Sequence, residues 1–323
     1  MRSLDISQLD PELIPSVYET LPHMNNNIDV LFHYTNIHGL KGIIESNKFW
    51  VSHAHFLNDK TEINYTLELS NKVFKEFCEN LPEKIEVMSG ALVLSKQEAI
   101  KDLTKYYDVI TNAVFNDSNY SIYALSFCTN SDSNLLWSNY SNNDGYLIKI
   151  NFLKFRDCLR EKTEHKEHIH AGLVIYDMEL QKKLLTKLFE FLLRVIKNIL
   201  YQSVTLSVDQ RSVDPADALT YVHYTLTQYS IFFKDQCFSQ EEELRIAITL
   251  SSNFDNYKCR VSNGAFIPYI EVDFEKDCVE GITVGPKNNM DITINGLKHF
   301  LILNKYNHIK DESILKSRIP YRY

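Results

Sequence analysis

The sequence predicts an α+β fold on a largely antiparallel or split sheet. Two observations carry this. Segments with strand character are mixed with segments of helical period, yet no repeating strand–helix–strand rhythm of a parallel sheet runs through the chain. Strand patterns also crowd the last third, at 243–250, 257–263, 266–273 and 279–284, behind a long helical stretch.

Taken in order, residues 1–29 form a polar lead-in, and DVLFHYT opens the core as a strand rich in apolar and β-prone residues. NIHGLKGIIESN fits a short helix with Leu40, Ile43 and Ile44 on one face, and KFWVS a second strand. HAHFLNDKTE reads as a loop. From 61 to about 115 the pattern is helical, with breaks near Leu81-Pro82 and Ser89-Gly90. SIYALSFCTN at 121–130 is a strong strand, DSNLLWSNY a short helix capped by Asp132, and GYLIKINF another strand.

AGLVIY at 171–176 adds a strand, and Asp177 can cap a long amphipathic helix over 178–200. A second helix covers roughly 214–236. The expectation is one domain over 30–323 with a helical insertion at about 178–237. The four late strands, a helix near 290–303 and a terminal strand in ESILKSRIPYRY complete it.

Composition narrows the function. Glycine is scarce at 9 of 323 residues, below the usual ~7%, which argues against glycine-built nucleotide loops. A formal charge of −8 disfavours nonspecific adhesion of the whole molecule to nucleic acid or anionic membranes. The six cysteines show no C-x-x-C spacing and read as reduced core thiols. The start, MRSLDISQLDPELIP, has no apolar signal core, and Lys187, Glu190, Arg194 and Lys197 interrupt the most apolar helix. A soluble, cytoplasmic protein without membrane partners is expected.

Three stretches can carry chemistry. In LFHYT, three hydrogen-bonding residues, His33, Tyr34 and Thr35, end an apolar strand. In FSQEEELRIAITL, an extended chain over 241–249 puts Glu241, Glu243 and Arg245 on one face and Leu244, Ile246 and Ile248 on the other. The charged face fits a cleft wall equally as it fits a solvated face with an ion pair. In SFCTNSDSNLLWSNY, Ser126, Trp137 and Tyr140 can offer a hydroxyl and an aromatic face to a planar ligand, or the two rings, three apart, can pack a helix onto the sheet. His165, His168 and His170 cluster in EHKEHIH, but no metal-site spacing accompanies them, and no metal is expected. ITVGPKNN reads as an ordinary strand–helix turn.

Together these stretches resemble an uncharacterised bacterial domain-of-unknown-function family with an HYT strand, an Asn-Asp followed by Glu, a Trp-x-x-Tyr helix and a Lys then E-x-E-x-R strand. The matching residues are His33, Tyr34 and Thr35; Asn58, Asp59 and Glu62; Trp137 and Tyr140; and Lys234, Glu241, Glu243 and Arg245. The resemblance runs over about residues 30–323, and the ending IKDESILKSRIPYRY is also similar to that family's. More distantly, the order His-strand, aromatic helix, late Glu-strand resembles the H-Y-E arrangement of ADP-ribosyltransferases, with Tyr34 where many of them carry Gly.

That resemblance implies a split sheet of ADP-ribosyltransferase-like type, NAD as substrate, and a macromolecular acceptor, protein or nucleic acid. It also implies roles. Glu243, or Glu241 on the same face, would stabilise an oxocarbenium-like ribose. His33 would bond a ribose hydroxyl with Thr35 nearby, and Tyr140 or Trp137 would stack on nicotinamide. Tyr34 would face the core, Arg245 and Lys234 would meet the diphosphate or steady the carboxylates, and Asn58, Asp59 and Glu62 would border the pocket. The expected activity is cleavage of NAD, in the manner of a toxin or phage-defence effector; the alternative is a non-catalytic nucleotide-binding or protein-interaction module.

Overall fold

The computed structural model describes residues 19–20, 28–56, 62–88, 92–116, 120–141, 143–162, 169–205, 215–251, 254–262, 264–288 and 290–320. The chain divides into two compact units: a helical one from 59–118 and 175–236, with 1–17, and a sheet unit from 18–58, 119–174 and 237–323. The fold is mixed α+β, with a mostly antiparallel large sheet and a separate two-stranded sheet. The helices expected as an insertion at about 178–237 fall in the unit that also holds 59–118.

In the sheet unit, eleven strands form one sheet among the described residues. Strand β1 (Glu19–Thr20) leads in, followed by β2 (Val30–Thr35), helix α1 (Ile37–Ser46) and β3 (Lys48–His53). After the helical unit's first half come β6 (Tyr120–Cys128), α4 (Asn134–Ser141), β7 (Tyr146–Asn151), α5 (Phe152–Lys162) and β8 (Ile169–Leu173). The chain returns as β9 (Glu243–Ser251), β10 (Lys258–Ser262), β11 (Ala265–Asp273) and β12 (Val279–Val284), then α8 (Met290–Leu303) and β13 (Ile314–Lys316).

The backbone of this sheet is β6 on β9, antiparallel from Tyr120↔Ser251 to Cys128↔Glu243. Along its other edge β6 serves two partners. It meets β2 at Phe32↔Cys128 and β3 at Ser52↔Ala124 and His53↔Tyr123. Residues 125–127 lie between these pairings, so the sheet forks there. One arm continues β2, β7, β12, β13, and the other β3, β11, β10. Among the described strands of this sheet, only β12 and β13 pair in parallel.

Strand period two decides which faces are dry. Leu31, Phe49, Val51, Leu125, Phe127, Ile148, Leu244, Ile246 and Ile248 share the main core with Leu40, Ile43 and Ile44 of α1 and with Phe152 and Phe155 of α5. Opposite it, Tyr34, Cys128, Leu136, Trp137 and Leu147 form a second cluster under α4. Helix α1 starts where the Asn36 side chain accepts from the Gly39 N–H and stops at left-handed Asn47. Gly39 lies close against Thr35, whose side chain would have to shift to admit a Cβ there.

The helical unit contains α2 (Glu62–Glu79), β4 (Lys84–Met88), β5 (Leu92–Ser95), α3 (Lys96–Asn116), α6 (Met178–Thr205) and α7 (Pro215–Phe232). Asp177 caps α6 by accepting from the N–H groups of Glu179 and Leu180. Phe74 stacks on Tyr107 with centroids 4.1 Å apart, and Phe189 closes on both edge-on. Among the described residues, no helix is long and apolar enough to cross a membrane.

Three local readings change. The stretch expected to be helical from 61 to 115 contains the antiparallel pair β4–β5, because KIEVM alternates and buries Ile85 and Val87 on one side. Helix α5, absent from the sequence reading, follows β7 directly. Helix α4 is capped by Ser133, whose Oγ accepts from the Leu136 N–H, rather than by Asp132. Ser95 and Glu98 form a reciprocal capping box at the start of α3, and the Ser95 N–H and hydroxyl bonded to Glu98 hold its carboxyl below the usual range.

Candidate functional site

At the fork, between β2 and β3, a cleft of about 740 Å³ opens, within the range of small-molecule sites. His33 and Thr35 from β2, Ser126 from β6, Tyr140 from α4, and Glu241 and Glu243 at the entry to β9 all line it. Their convergence follows from the topology: the unpaired 125–127 edge of β6 faces the gap, and β9 lies beside β6 in register.

His33 spans the gap. Its Nδ1 is 3.1 Å from the Ser126 carbonyl, and since a carbonyl only accepts, Nδ1 carries the proton. The ring rests edge-on against Phe49 and Phe127. Burial lowers its pKa, opposed more weakly by the Ser126 hydrogen bond. The imidazole is therefore neutral at pH 7 and its Nε2 is an acceptor.

Tyr34 points to the opposite face. Its hydroxyl donates to Asn130 O and accepts from the Ser133 N–H, 2.8 Å, and its ring meets Trp137 edge-on at 4.8 Å. It orders the turn between β6 and α4, although part of it lines the cleft. Trp137, one of two candidates for stacking on a ligand, is fully buried, with Nε1 donating to Asp132; of the two, Tyr140 is the ring on the cleft wall. A Trp at that spacing serves packing because α4 lies flat on the second core. Asp132 also accepts from the Ser317 hydroxyl and the Arg318 N–H, both at 2.7 Å, so the tail after β13 is tied to the same corner. Tyr34→Phe is expected to cost roughly 1–3 kcal/mol, because the Asn130 carbonyl and Ser133 N–H lose their partner; chemical denaturation measures this, and an unchanged midpoint would contradict the assigned role.

The acidic segment departs from a simple strand. Residues Gln236–Glu241 form a 3-10 turn, Glu242 is left-handed with φ 46°, and the strand begins only at Glu243. Glu242 is held there by its neighbours: its carbonyl accepts from the Thr129 N–H, and its carboxylate from the Thr129 hydroxyl and the Asn130 amide. Glu241 thus reaches the cleft from the turn, where Tyr140 Oη donates to its Oε1 at 3.1 Å. Glu243 is gripped by Arg245, Nε to Oε1 2.8 Å and Nη2 to Oε2 3.0 Å, and by the Ser126 hydroxyl. Arg245 is almost fully buried and lies behind the carboxylate rather than on the cleft wall. It holds the Glu243 carboxylate from behind.

Cys128 also lines the cleft, but burial and the nearby carboxylates push its thiol up to about 12, so it stays protonated and is no nucleophile. Lys234 belongs to the helical unit, buried, with its carbonyl accepting from Gln181 Nε2. Asn58 and Asp59 lie outside the described residues, as do His165 and His168; Glu62 begins α2. His170 is buried in β8, opposite Ala247.

Sequence reasoning missed Lys48, Trp50 and Arg260, all of which line the cleft from the β3–β11–β10 arm. The signal was present in KFWVSH: Phe49 and Val51 enter the core, so Lys48, Trp50 and Ser52 face the other way.

The two cleft-arm histidines make a pH prediction. His53, like His33, has a lowered pKa, to about 4, through burial and then repulsion by His55. In the unfolded chain both titrate near 6.5. Below that pH the unfolded chain binds protons that the folded chain refuses, so stability falls from about pH 6.5 toward 4. Urea midpoints at pH 7.5 and 5 should differ less for His53→Asn than for the unaltered chain; equal differences would remove His53 from this account.

Residues 136–246 match a family model described as protein of unknown function (DUF2971). The matched segment begins in α4 and ends in β9, so it includes Trp137, Tyr140, Glu241, Glu243 and Arg245 and omits β2 with His33. The resemblance expected over about 30–323 is therefore shown for this central part. No curated protein and no solved structure matches the chain.

Proposed function

We propose that this protein is an NAD-consuming enzyme of ADP-ribosyltransferase-like type, which cleaves the nicotinamide–ribose bond and passes ADP-ribose to a macromolecular acceptor. The observation that supports it best is that His33, Tyr140, Glu241 and Glu243, distant in sequence, line one cleft at a fork in the sheet. The neutral His33 offers Nε2 to a ribose hydroxyl, and Tyr140, 36% exposed, offers a ring face to nicotinamide. The C–N bond breaks with its electron pair leaving on nicotinamide. Cation character develops on the ribose, where a fixed carboxylate stabilises it without reorganising. The acceptor's nucleophile, or water, then bonds to the anomeric carbon and loses its proton.

Glu243 suits the role of that carboxylate because Arg245 and Ser126 fix its orientation; Glu241 is the second candidate. A toxin or phage-defence setting fits such chemistry by analogy alone. The test is nicotinamide release from NAD, followed chromatographically, with and without protein or nucleic-acid acceptors. His33→Ala should raise KM and slow release about tenfold or more, as expected for a lost positioning hydrogen bond. No release by the unaltered protein under any of these conditions would sink the proposal.

A second reading has its own observation. Both Glu243 oxygens are engaged by Arg245, as in a structural ion pair, which fits a module that binds a nucleotide without cleaving it. NAD binding by calorimetry with no nicotinamide formed would select that reading.

A further inference from the structure

The cleft extends beyond the groups that the proposed chemistry uses. The rest of its wall includes Gly42 of α1, Trp50 of β3 and Arg260 of β10. Three observations set this wall apart. Trp50 is 48% exposed on a strand whose alternate residues are core, leaning on Tyr269 with ring centroids 4.6 Å apart. Large aromatic rings left half in water beside a cavity fit stacking surfaces. Arg260 donates to the Ser52 hydroxyl at 3.2 Å, and no carboxylate among the described residues pairs with it. Its neighbouring cations are already neutralised, since Lys48 meets Glu271 and Asp273, and Lys258 meets Glu271. Arg260 is therefore the cation of this wall with charge to offer an anion.

Gly42 adds the third. A Cβ built there meets nothing within 4 Å, so neither packing nor backbone conformation requires glycine, and alanine would favour the helix by about 1 kcal/mol. In a chain with 9 glycines, one that weakens a helix while facing a cavity fits close approach of a ligand to the helix backbone.

We propose that Gly42, Trp50 and Arg260 form a subsite for a nucleoside diphosphate, with the base lying on α1 at Gly42 and against Trp50, and the diphosphate on Arg260. The guanidinium fork gives the diphosphate two parallel charge-assisted hydrogen bonds, and the two flat surfaces exclude water from the base. The subsite deepens the NAD reading, as the place for the half of the dinucleotide that does not react, and rests on that reading for the ligand's identity. Its occupancy does not depend on catalysis, so the two fail separately.

The test uses ADP as the probe, titrated into the full chain by calorimetry, with melting temperatures measured alongside. ADP should bind the unaltered protein, and Arg260→Ala and Trp50→Ala should each weaken it roughly tenfold, the scale of one charge-assisted hydrogen bond or one stacked base. Gly42→Ala should weaken ADP binding while raising the melting temperature by roughly 2 °C, a combination that damage to the fold cannot produce. Adenosine should bind more weakly than ADP to the unaltered chain and lose nothing further in Arg260→Ala. Failure of ADP to bind, or binding equally strong in all three variants, would overturn the subsite. ADP binding with the expected losses but no nicotinamide release from NAD would leave the subsite standing and remove the reaction.

Discussion

Glu243→Gln is expected to lower nicotinamide release by roughly 100- to 1,000-fold, the range seen when one preorganised group is withdrawn from developing charge, while the protein stays folded. Glutamine keeps the shape of the side chain and one oxygen that can still accept from Arg245, but it leaves the buried guanidinium without its countercharge, so the melting temperature should fall and release is compared at a temperature where the variant remains folded. The contrast with Glu241→Gln decides between the two carboxylates. Glu241 lies on the 3-10 turn and accepts from Tyr140, so its loss would disturb the ring that meets the leaving group more than the charge beneath the ribose. If Glu241→Gln abolishes release and Glu243→Gln does not, the assignment is reversed; if neither does, both carboxylates are structural and neither supplies the charge beneath the ribose. Measuring kcat and KM separately matters, because loss of stabilisation made only in the transition state lowers kcat with little change in KM.

Arg245→Met is expected to destabilise the fold by about 3–5 kcal/mol, the usual cost of leaving a buried charge without its partner. The Arg245 and Glu243 side chains are 3% and 6% exposed, so water cannot replace the lost guanidinium. The double variant Glu243→Leu with Arg245→Met should recover much of this loss, since the pair's desolvation penalty disappears with both charges. Urea unfolding of the two single variants and the double one completes a cycle. Additive effects would show that the two groups do not depend on one another and would leave Glu243 without the support assigned to it. This result stands apart from catalysis, because it tests the geometry that holds the carboxylate, whatever that carboxylate does.

Much of the candidate site was visible along the chain as residue types in unusual places: three polar groups ending the strand at His33, and a charged alternation at 241–245. What they become depended on partners far away in sequence. The expectation of one extended strand through Glu241 failed because Thr129 and Asn130 hold Glu242 in a left-handed turn, an interaction spanning more than a hundred residues. Trp137 and Tyr140 were indistinguishable by spacing, and the position of α4 on the second core buried one and left the other on the cleft. Arg260 carried no local signal at all; its meaning comes from Glu271 engaging Lys48 and Lys258 on the same arm.

By itself the sequence determined the order of most helices and strands, the α+β class and the cap at Asp177, because these rest on side-chain period and on hydrogen bonds within a few residues. The same local logic explains where it stopped. The short alternations that make β4 and β5, and the helix α5 that follows β7 without a break, lie below the length at which periodicity speaks clearly. Only the tertiary structure decided that β6 divides its free edge between β2 and β3. That fork, which opens the cleft and brings His33 to the Ser126 carbonyl, depends on strand pairing between residues far apart in the chain, where no neighbour can record the outcome.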